Sequence, residues 1–316
     1  MREQHKNSSE VTPAGPHDSR APAAGGDGYI GRDDPLEAER LSAQRVGGLE
    51  ELTRALAGCA LPPSPRVLEV GCGAGAFTEA LLQSLPGARI TAIDINADLL
   101  AEAGRRLGAV AAPGGRVRLE RADATRLPYA ARSCDLVACR CVLMHQAEPT
   151  VAAAEMHRVV DVGGYALAIE PDWGARALYP DAEALDALLD LARRGRPYGF
   201  PDLLIGRKLF AIFRAVGFAP VWMRPTAFAA TADDIAQASA QSAATDLAAM
   251  AHGAHAGPER LLEQSRHLLR QAGLIADLEL DRLIDRWAAL ARSQDYFSAG
   301  VDLAVVGMKQ GPRLAP

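Results

Sequence analysis

Residues 66–75 combine an apolar segment, a carboxylate and a glycine-rich turn. Residues 66–70 have the composition of a buried strand, and Glu69 lies near its end. Residues 76–85 continue with apolar side chains at helical spacing. A strand, a glycine turn and a helix start together form a nucleotide site, because glycine lets the backbone approach a ligand and the helix start presents free N–H groups. The glycines of the turn occupy alternate positions: Gly71, Gly73 and Gly75.

This turn fits two nucleotide-binding patterns. Gly71, Gly73 and Ala76 match the dinucleotide fingerprint G-x-G-x-x-G/A. Glu69 followed by the three alternating glycines matches the E/D-x-G-x-G-x-G loop of S-adenosylmethionine-dependent methyltransferases. A glycine turn in an ordinary strand–helix unit is a third interpretation, so the segment alone leaves the ligand open.

Two aspartates further along the chain extend the pattern. Asp94 ends a predicted strand at 89–95, where a carboxylate can accept hydrogen bonds from ribose hydroxyls of either nucleotide. Asp123 follows a predicted strand at 116–120 and, taken alone, fits a turn or a helix cap equally well. Because these aspartates and Glu69 fall near the ends of successive strands, a ligand role is favoured for all three.

Predicted strands and helices alternate from residue 66 onward. Such alternation predicts a parallel sheet with helices on both faces, which binds its ligand at the carboxyl ends of the strands. The predicted strands are 66–70, 89–95, 116–120, 135–141, 165–170, 218–224 and 300–308. The predicted helices are 35–58, 76–85, 97–107, 149–160, 181–194 and 207–216, with mostly helical residues at 232–292.

Residues 133–149 and 155–173 connect these elements to a known family. With the glycine turn, they resemble the class I S-adenosylmethionine-dependent methyltransferases, in particular the small-molecule branch related to ubiquinone and menaquinone biosynthesis. The resemblance is specific over residues 66–173. One departure is Asp161-Val162, where relatives usually carry a basic residue and a proline before the glycine pair.

The resemblance implies an α/β fold with a Rossmann-like, mostly parallel sheet of seven strands, of which the last is antiparallel, and a helical lid. Residues 1–28 are rich in Pro, Gly, Ser, Asn and Asp, and are predicted to form a disordered tail. Residues 29–316 are predicted to form the methyltransferase domain. Its core is assigned to 66–173, 207–228 and 297–310, and its lid to 29–58, 176–206 and 230–296.

S-adenosyl-L-methionine is the cofactor that this resemblance implies. Glu69 would lie near its cationic end, Asp94 would hold the ribose, and Asp123 with the backbone of Ala124 would hold the adenine. Tyr29 lies where relatives place a lid aromatic, although a hydrophobic staple explains it equally well. Arg140 fits a direct ligand and a surface or lid ion pair equally well. The full predicted cofactor set is Tyr29, Glu69, Gly71, Gly73, Gly75, Asp94, Ile95, Asp123, Ala124 and Arg140.

Methyl transfer chiefly requires a nucleophile placed in line with the methyl group, and a base only if that nucleophile begins protonated. His145 is the first candidate base, although a packed histidine capping a turn is at least as good an interpretation. Glu170, Asp172 and Trp173 end the fifth predicted strand and are expected to face the acceptor.

Composition excludes several other classes. A net charge of −5 and 5% aromatic residues argue against nucleic-acid binding, and no apolar run reaches the length of a membrane span. The odd number of cysteines, five, suggests reduced thiols and a cytoplasmic protein. His252 and His255 lack a third ligand nearby, so no metal site is expected.

The leading hypothesis is therefore a cytoplasmic enzyme of secondary metabolism that methylates a small, apolar metabolite, as a monomer or a homodimer. An NAD-dependent oxidoreductase and a non-catalytic S-adenosylmethionine-binding module remain the alternatives. Glu69, Asp123 and the late position of the glycine turn disfavour the oxidoreductase.

Overall fold

The computed structural model describes residues 49–234 and 258–311. Tyr29, the tail at 1–28, most of the helix predicted at 35–58, and the His252–His255 pair lie outside these residues. The strands are β1 (Arg66–Val70), β2 (Arg89–Asp94), β3 (Val117–Arg121), β4 (Cys134–Arg140), β5 (Val160–Tyr179), β6 (Val221–Thr231) and β7 (Phe297–Met308). The α-helices are α1 (Leu49–Leu56), α2 (Ala76–Ser84), α3 (Ala97–Leu107), α4 (Pro149–Val159), α5 (Ala182–Gly195), α6 (Leu209–Ala215), α7 (Pro258–Gln264), α8 (Arg266–Gln271) and α9 (Asp277–Leu290).

The seven strands form one sheet in the order β3-β2-β1-β4-β5-β7-β6. The first five strands run parallel, whereas β7 pairs antiparallel with both β5 and β6. The prediction of a mostly parallel sheet with an antiparallel last strand is confirmed. The strand order reverses beside β1, so the loops after β1 and β4 diverge around a crevice of the kind that binds ligands in open α/β sheets.

Both faces of the sheet are covered. Along β1, Val67 packs into one hydrophobic cluster, and Leu68 and Val70 pack into the other. Side chains alternate across a strand, so a central strand that is buried on both faces reads as a continuous apolar run. Glu69 interrupts this run at the carboxyl end of β1, where it is fully buried.

Three strands are longer than the sequence pattern predicts. Strand β5 reaches Tyr179 rather than ending at residue 170, so the first residues of the predicted lid at 176–206 are strand. Its register against β7 shifts between Asp172 and Ala177, which marks a bulge. Strand β6 continues through Pro225 to Thr231 because it is an edge strand, where the missing N–H of proline is tolerated. The extended parts of β5, β6 and β7 pass beyond the carboxyl edge of the parallel strands.

Among the described residues, none of the helices combines the length and apolarity that crossing a membrane requires. In the same part of the chain, His, Cys, Asp and Glu side chains form no group of three that could hold a metal ion.

Candidate cofactor and acceptor site

The glycine turn between β1 and α2 depends on left-handed backbone conformations. Gly71 has φ +72°, Gly73 +52° and Gly75 +86°, a region that residues with a Cβ rarely adopt. The turn is tied to the next strand, because the N–H groups of Gly71 and Cys72 both donate to the carbonyl of Ile93 at 2.8 Å. Two of these glycines also have packing roles. A Cβ on Gly71 would lie 2.4 Å from Val142 Cγ2, and one on Gly75 would lie 3.2 Å from the Ala103 Cβ of α3.

Asp94 is fixed directly beneath this turn. Its Oδ2 accepts a hydrogen bond from Gly73 N at 2.8 Å, and its Oδ1 accepts one from Asn96 N at 2.9 Å. Burial raises the pKa of Asp94, and these backbone donors oppose that rise. Each carboxylate oxygen keeps a further lone pair. The arrangement therefore presents an oriented, partly exposed acceptor at the end of β2, beside Ile95.

Glu69 lies deeper than the resemblance implied. It is fully buried, and among the described residues no donor reaches either oxygen at hydrogen-bonding geometry. Burial raises its pKa to about 8, the Thr78 hydroxyl opposes that rise, and the nearby Asp94 adds to it. Glu69 therefore places a buried acid at the end of β1, next in sequence to the strand's last residue and the glycine turn.

Asp123 lies on the far side of the same edge, just past β3. Its Oδ1 accepts hydrogen bonds from both the backbone N–H and the hydroxyl of Thr125, at 2.8 and 2.7 Å. These bonds form an aspartate turn, which the sequence analysis gave as the alternative to a ligand role for Asp123. Asp123 is exposed and Ala124 is partly exposed, so the Oδ2 atom and the backbone of the turn are accessible to a ligand.

The loop after β4 is organised by a carboxylate from β5. Glu170 Oε1 accepts hydrogen bonds from Val142 N at 2.8 Å and from Leu143 N at 2.7 Å. These donors begin the short 3₁₀ turn Leu143–His145, so Glu170 caps the turn that carries His145. Burial raises the pKa of Glu170 to about 8, and the three backbone N–H groups of the turn and the charge of Arg140 oppose the rise. The carboxylate of Glu170 therefore holds the loop after β4 in place.

The other two residues predicted on the acceptor side also have structural partners. Asp172 is buried and forms an ion pair with Arg207, whose Nε lies 2.8 Å from Oδ2. Trp173 is buried, and its backbone N–H donates to the carbonyl of Leu203 at 3.0 Å. The contact of Trp173 holds the predicted lid segment at 176–206 against β5, and that of Asp172 holds the start of the predicted core segment at 207–228.

The Gly195–Pro197 segment is held against the loop that follows β4. Arg196 donates to the carbonyls of Gln146, Ala147 and Phe200, the last two at 3.1 and 3.3 Å. Asp202 N donates to the Met144 carbonyl at 2.8 Å. Movement of this part of the lid would therefore move the loop that carries His145.

Comparison with known proteins decides between the two nucleotide patterns. Residues 68–168 match a family described as a methyltransferase domain. This region is a class I methyltransferase domain. The match begins inside β1 and ends inside β5, so it covers the glycine turn, Asp94, Asp123 and the loop after β4.

Two curated relatives extend the comparison of the methyltransferase domain. A demethylmenaquinone methyltransferase of Deinococcus radiodurans is 37% identical over 118 residues, which are 37% of this chain and 48% of the relative. An uncharacterized protein from a transposon of Streptomyces fradiae is 32% identical over 164 residues, 50% of this chain and 44% of the relative. The chain thus spans about half the length of the curated relatives it matches.

A solved structure supports the fold. Phosphoethanolamine N-methyltransferase 2 of Haemonchus contortus, in complex with phosphomonomethylethanolamine and S-adenosylhomocysteine, superposes with a TM-score of 0.52 at 14% identity. The superposition covers 89% of this chain and 60% of that one. The family match and the methyltransferase fold support S-adenosylmethionine as the cofactor of the methyltransferase domain.

The methyltransferase domain brings together most of the predicted cofactor residues at the carboxyl ends of β1 to β4. Sequence reasoning missed the cap that Glu170 forms, the ion pair of Asp172 with Arg207, and the left-handed conformation of Cys141, whose φ is +54°. The strand pattern carries no sign of these features, because each depends on a contact between segments that are distant in sequence.

Proposed function

We propose that this chain transfers the methyl group of S-adenosylmethionine to a small, largely apolar acceptor. The observation that carries the proposal is the fixed carboxylate of Asp94, held by Gly73 N at 2.8 Å beside a left-handed glycine turn. A carboxylate fixed in this way can accept hydrogen bonds from ribose hydroxyls. The exposed Asp123, in the turn after the neighbouring strand β3, can accept a hydrogen bond from the exocyclic amine of adenine.

The bound cofactor would supply an activated methyl group on a sulfonium. The chain's own residues would position the acceptor atom in line with it and exclude water. His145 is the proposed base for an acceptor that begins protonated, and the cap formed by Glu170 would hold its turn in place. Asp172 and Trp173 would face the acceptor, and their contacts with Arg207 and Leu203 would hold them in place.

The apolar character of the proposed acceptor is supported by the packing around Trp173. This side chain belongs to a hydrophobic cluster that continues into the lid through Leu203, Leu262, Leu283 and Trp287. An apolar acceptor bound at the edge of this packed cluster would bury its apolar surface against it. The antiparallel β7 distinguishes this sheet from the parallel order of dinucleotide-binding folds, so the topology does not favour an oxidoreductase.

Calorimetry with S-adenosylhomocysteine and NAD tests the cofactor. We expect the wild-type chain to bind S-adenosylhomocysteine and not NAD. Asp94→Ala should weaken binding by about 1.5–3 kcal/mol, the range for hydrogen bonds to a charged group. The exposed Asp98 on α3 provides the matched control, and Asp98→Ala should leave the affinity unchanged. Equal affinities in the wild type and in Asp94→Ala would remove the assigned site.

Transfer of a labelled methyl group from S-adenosylmethionine to a library of small molecules tests the activity. A labelled product that requires the chain and disappears on Asp94→Ala is the expected result. Binding of S-adenosylhomocysteine without any methylated product across the library would instead favour a non-catalytic module.

A further inference from the structure

Arg176, on the proposed acceptor side, packs against two aromatic rings. Arg176 lies in the bulge of β5, and its guanidinium carbon is 3.7 Å from the centroid of the Trp173 ring and 5.0 Å from that of Phe228. The arginine is partly exposed. Cation–π contacts of this length hold a guanidinium by its faces.

The backbone of β7 makes room for this arrangement. Gly300 pairs with Phe228 of β6, and a Cβ at Gly300 would lie 2.9 Å from Arg176 Cγ and 2.8 Å from Phe228 Cζ. The absence of a side chain at this position therefore lets the arginine stem and the phenyl ring approach each other. The bulge of β5, the glycine of β7 and the ring from β6 form one compact group, which we call the Arg176 pocket.

The titratable groups that act on Arg176 are Asp302 and Tyr296. Burial lowers the pKa of Arg176 to about 10, and the charges of Asp302 and Tyr296 oppose that shift. Asp302 lies on β7 and is buried, and Tyr296 directly precedes that strand. The arginine stays charged at neutral pH. The negative charge of Asp302 acts on the guanidinium and favours its charged form.

A partly buried guanidinium packed against two rings has lost part of its hydration, and an anion that accepts its hydrogen bonds would stabilise it. With Trp173 and Phe228 against the guanidinium, an anion would meet its N–H donors at the edge of the group. A planar carboxylate matches this fork with two parallel hydrogen bonds. Because Asp302 already supplies one negative charge nearby, a monoanion suits the pocket better than a dianionic phosphate.

The position of the pocket connects it to the acceptor. Trp173 lies between Asp172, which is paired with Arg207, and Arg176, and its backbone is bonded to Leu203 of the lid. Glu170, which caps the turn of His145, precedes Trp173 and Arg176 on the same strand. It lies on the extended strands beyond the carboxyl edge, on the side where the sheet presents its ligand-binding loops.

We propose that Arg176 is the carboxylate-binding subsite for the acceptor, so that the chain methylates an otherwise apolar molecule that carries one carboxylate. This inference rests on the proposed function and narrows its substrate class. Arg176 would anchor and orient the acceptor, and the methylated atom would lie elsewhere on the molecule.

Binding of matched probes to the full chain, saturated with S-adenosylhomocysteine, tests this inference. The probes are benzoate, its neutral analogue benzamide, and phenyl phosphate, each titrated to about 10 mM, a range that covers weak fragment binding. We expect benzoate to bind at least about tenfold more tightly than either of the other two, as a bidentate charged pair requires.

Three variants distinguish loss of the carboxylate subsite from loss of the folded structure. Arg176→Met should abolish the preference for benzoate, and Arg176→Lys, which keeps the charge but loses the fork, should reduce it about tenfold. Arg193, an exposed arginine on α5, provides the control Arg193→Met, which should keep the full preference. Unchanged S-adenosylhomocysteine affinity in all three would show that the fold and the cofactor site are intact. If Arg176→Met fails to fold, the Arg176→Lys comparison decides.

Several results would overturn the inference. They are the absence of benzoate binding to the wild type, equal binding of benzoate and benzamide, tighter binding of phenyl phosphate, and a preference that survives Arg176→Lys unchanged. Failure of the wild type to bind S-adenosylhomocysteine would instead overturn the proposed function, and the inference with it.

Discussion

Glu170 is a buried acid whose charge state should govern stability. Its pKa in the folded chain is about 8, and that of Glu69 is also about 8, because burial disfavours the ionised form of both. The unfolded chain would ionise both groups near their ordinary value of 4.5. Between these values the folded state holds protons that the unfolded state releases. The stabilising contribution is therefore fully present below about 4.5 and is lost as the pH rises through about 8.

We predict that the free energy of unfolding falls as the pH rises from about 5 to 8, with a slope of up to roughly 1.4 kcal/mol per pH unit for each such group. Glu170→Gln should flatten this decline, since a glutamine oxygen can still accept the hydrogen bonds from Val142 and Leu143. Urea unfolding at a series of pH values measures the effect. Glu183→Gln, at an exposed side chain, is the control. An unchanged slope in Glu170→Gln would mean that Glu170 is ionised in the folded chain.

At the residue scale, sequence reasoning located the partly exposed Asp94 better than the contacts of the buried acids. The position of Asp94 could be predicted because it follows from the end of a strand. The role of Glu170 could not, because its partners are backbone N–H groups 27 and 28 residues away in the sequence. Arg176 was missed for a similar reason, since the two aromatic rings that hold it are presented by different strands.

At the element scale, the glycine turn joins the end of β1 to the loop after β4. Gly71 combines a left-handed backbone, with φ +72°, and close contact with Val142. A side chain at this position would therefore strain the turn and also displace the loop that Glu170 caps.

We predict that Gly71→Ala destabilises the chain by about 2–5 kcal/mol, the sum of the left-handed strain and the overpacking cost, and weakens S-adenosylhomocysteine binding. Gly273 is a matched control, because its φ is +63° and a Cβ there would meet nothing within 4 Å. Gly273→Ala should show the backbone cost alone and keep the ligand affinity. Thermal unfolding and calorimetry on both variants measure the difference. Equal losses in the two variants would show that the contact with Val142 is unimportant.

The bounds of the core elements followed from their hydrophobic patterns, whereas the extended strands did not. Strand β1 begins and ends at the predicted residues. In β5 the hydrophobic pattern breaks at Pro171 and Gly174, residues that ordinarily interrupt a strand. Pairing with β7 nevertheless resumes after the bulge. The antiparallel neighbour thus stabilises a segment whose local sequence favours a loop. Tertiary pairing of this kind overrides local propensity.

At the scale of the whole molecule, the sheet has two unlike edges. The carboxyl edge of the parallel strands carries Asp94, Asp123 and the capped turn of His145, together with the attached lid segment. The amino edge carries short turns such as those at residues 61–65 and 112–116. The proposed function requires ligand binding at the first edge only.

Hydrogen exchange measured by mass spectrometry over the full chain can test this asymmetry. We predict that S-adenosylhomocysteine slows exchange at residues 71–75, 94–96 and 140–145, because a ligand there would order the turns and exclude water. Exchange at 61–65 and 112–116 should not change. Asp94→Ala at the same ligand concentration should lose most of the protection while its exchange without ligand stays close to that of the wild type. Equal protection at both edges would indicate a global stabilisation by a ligand bound elsewhere, and would contradict the assignment of the carboxyl edge.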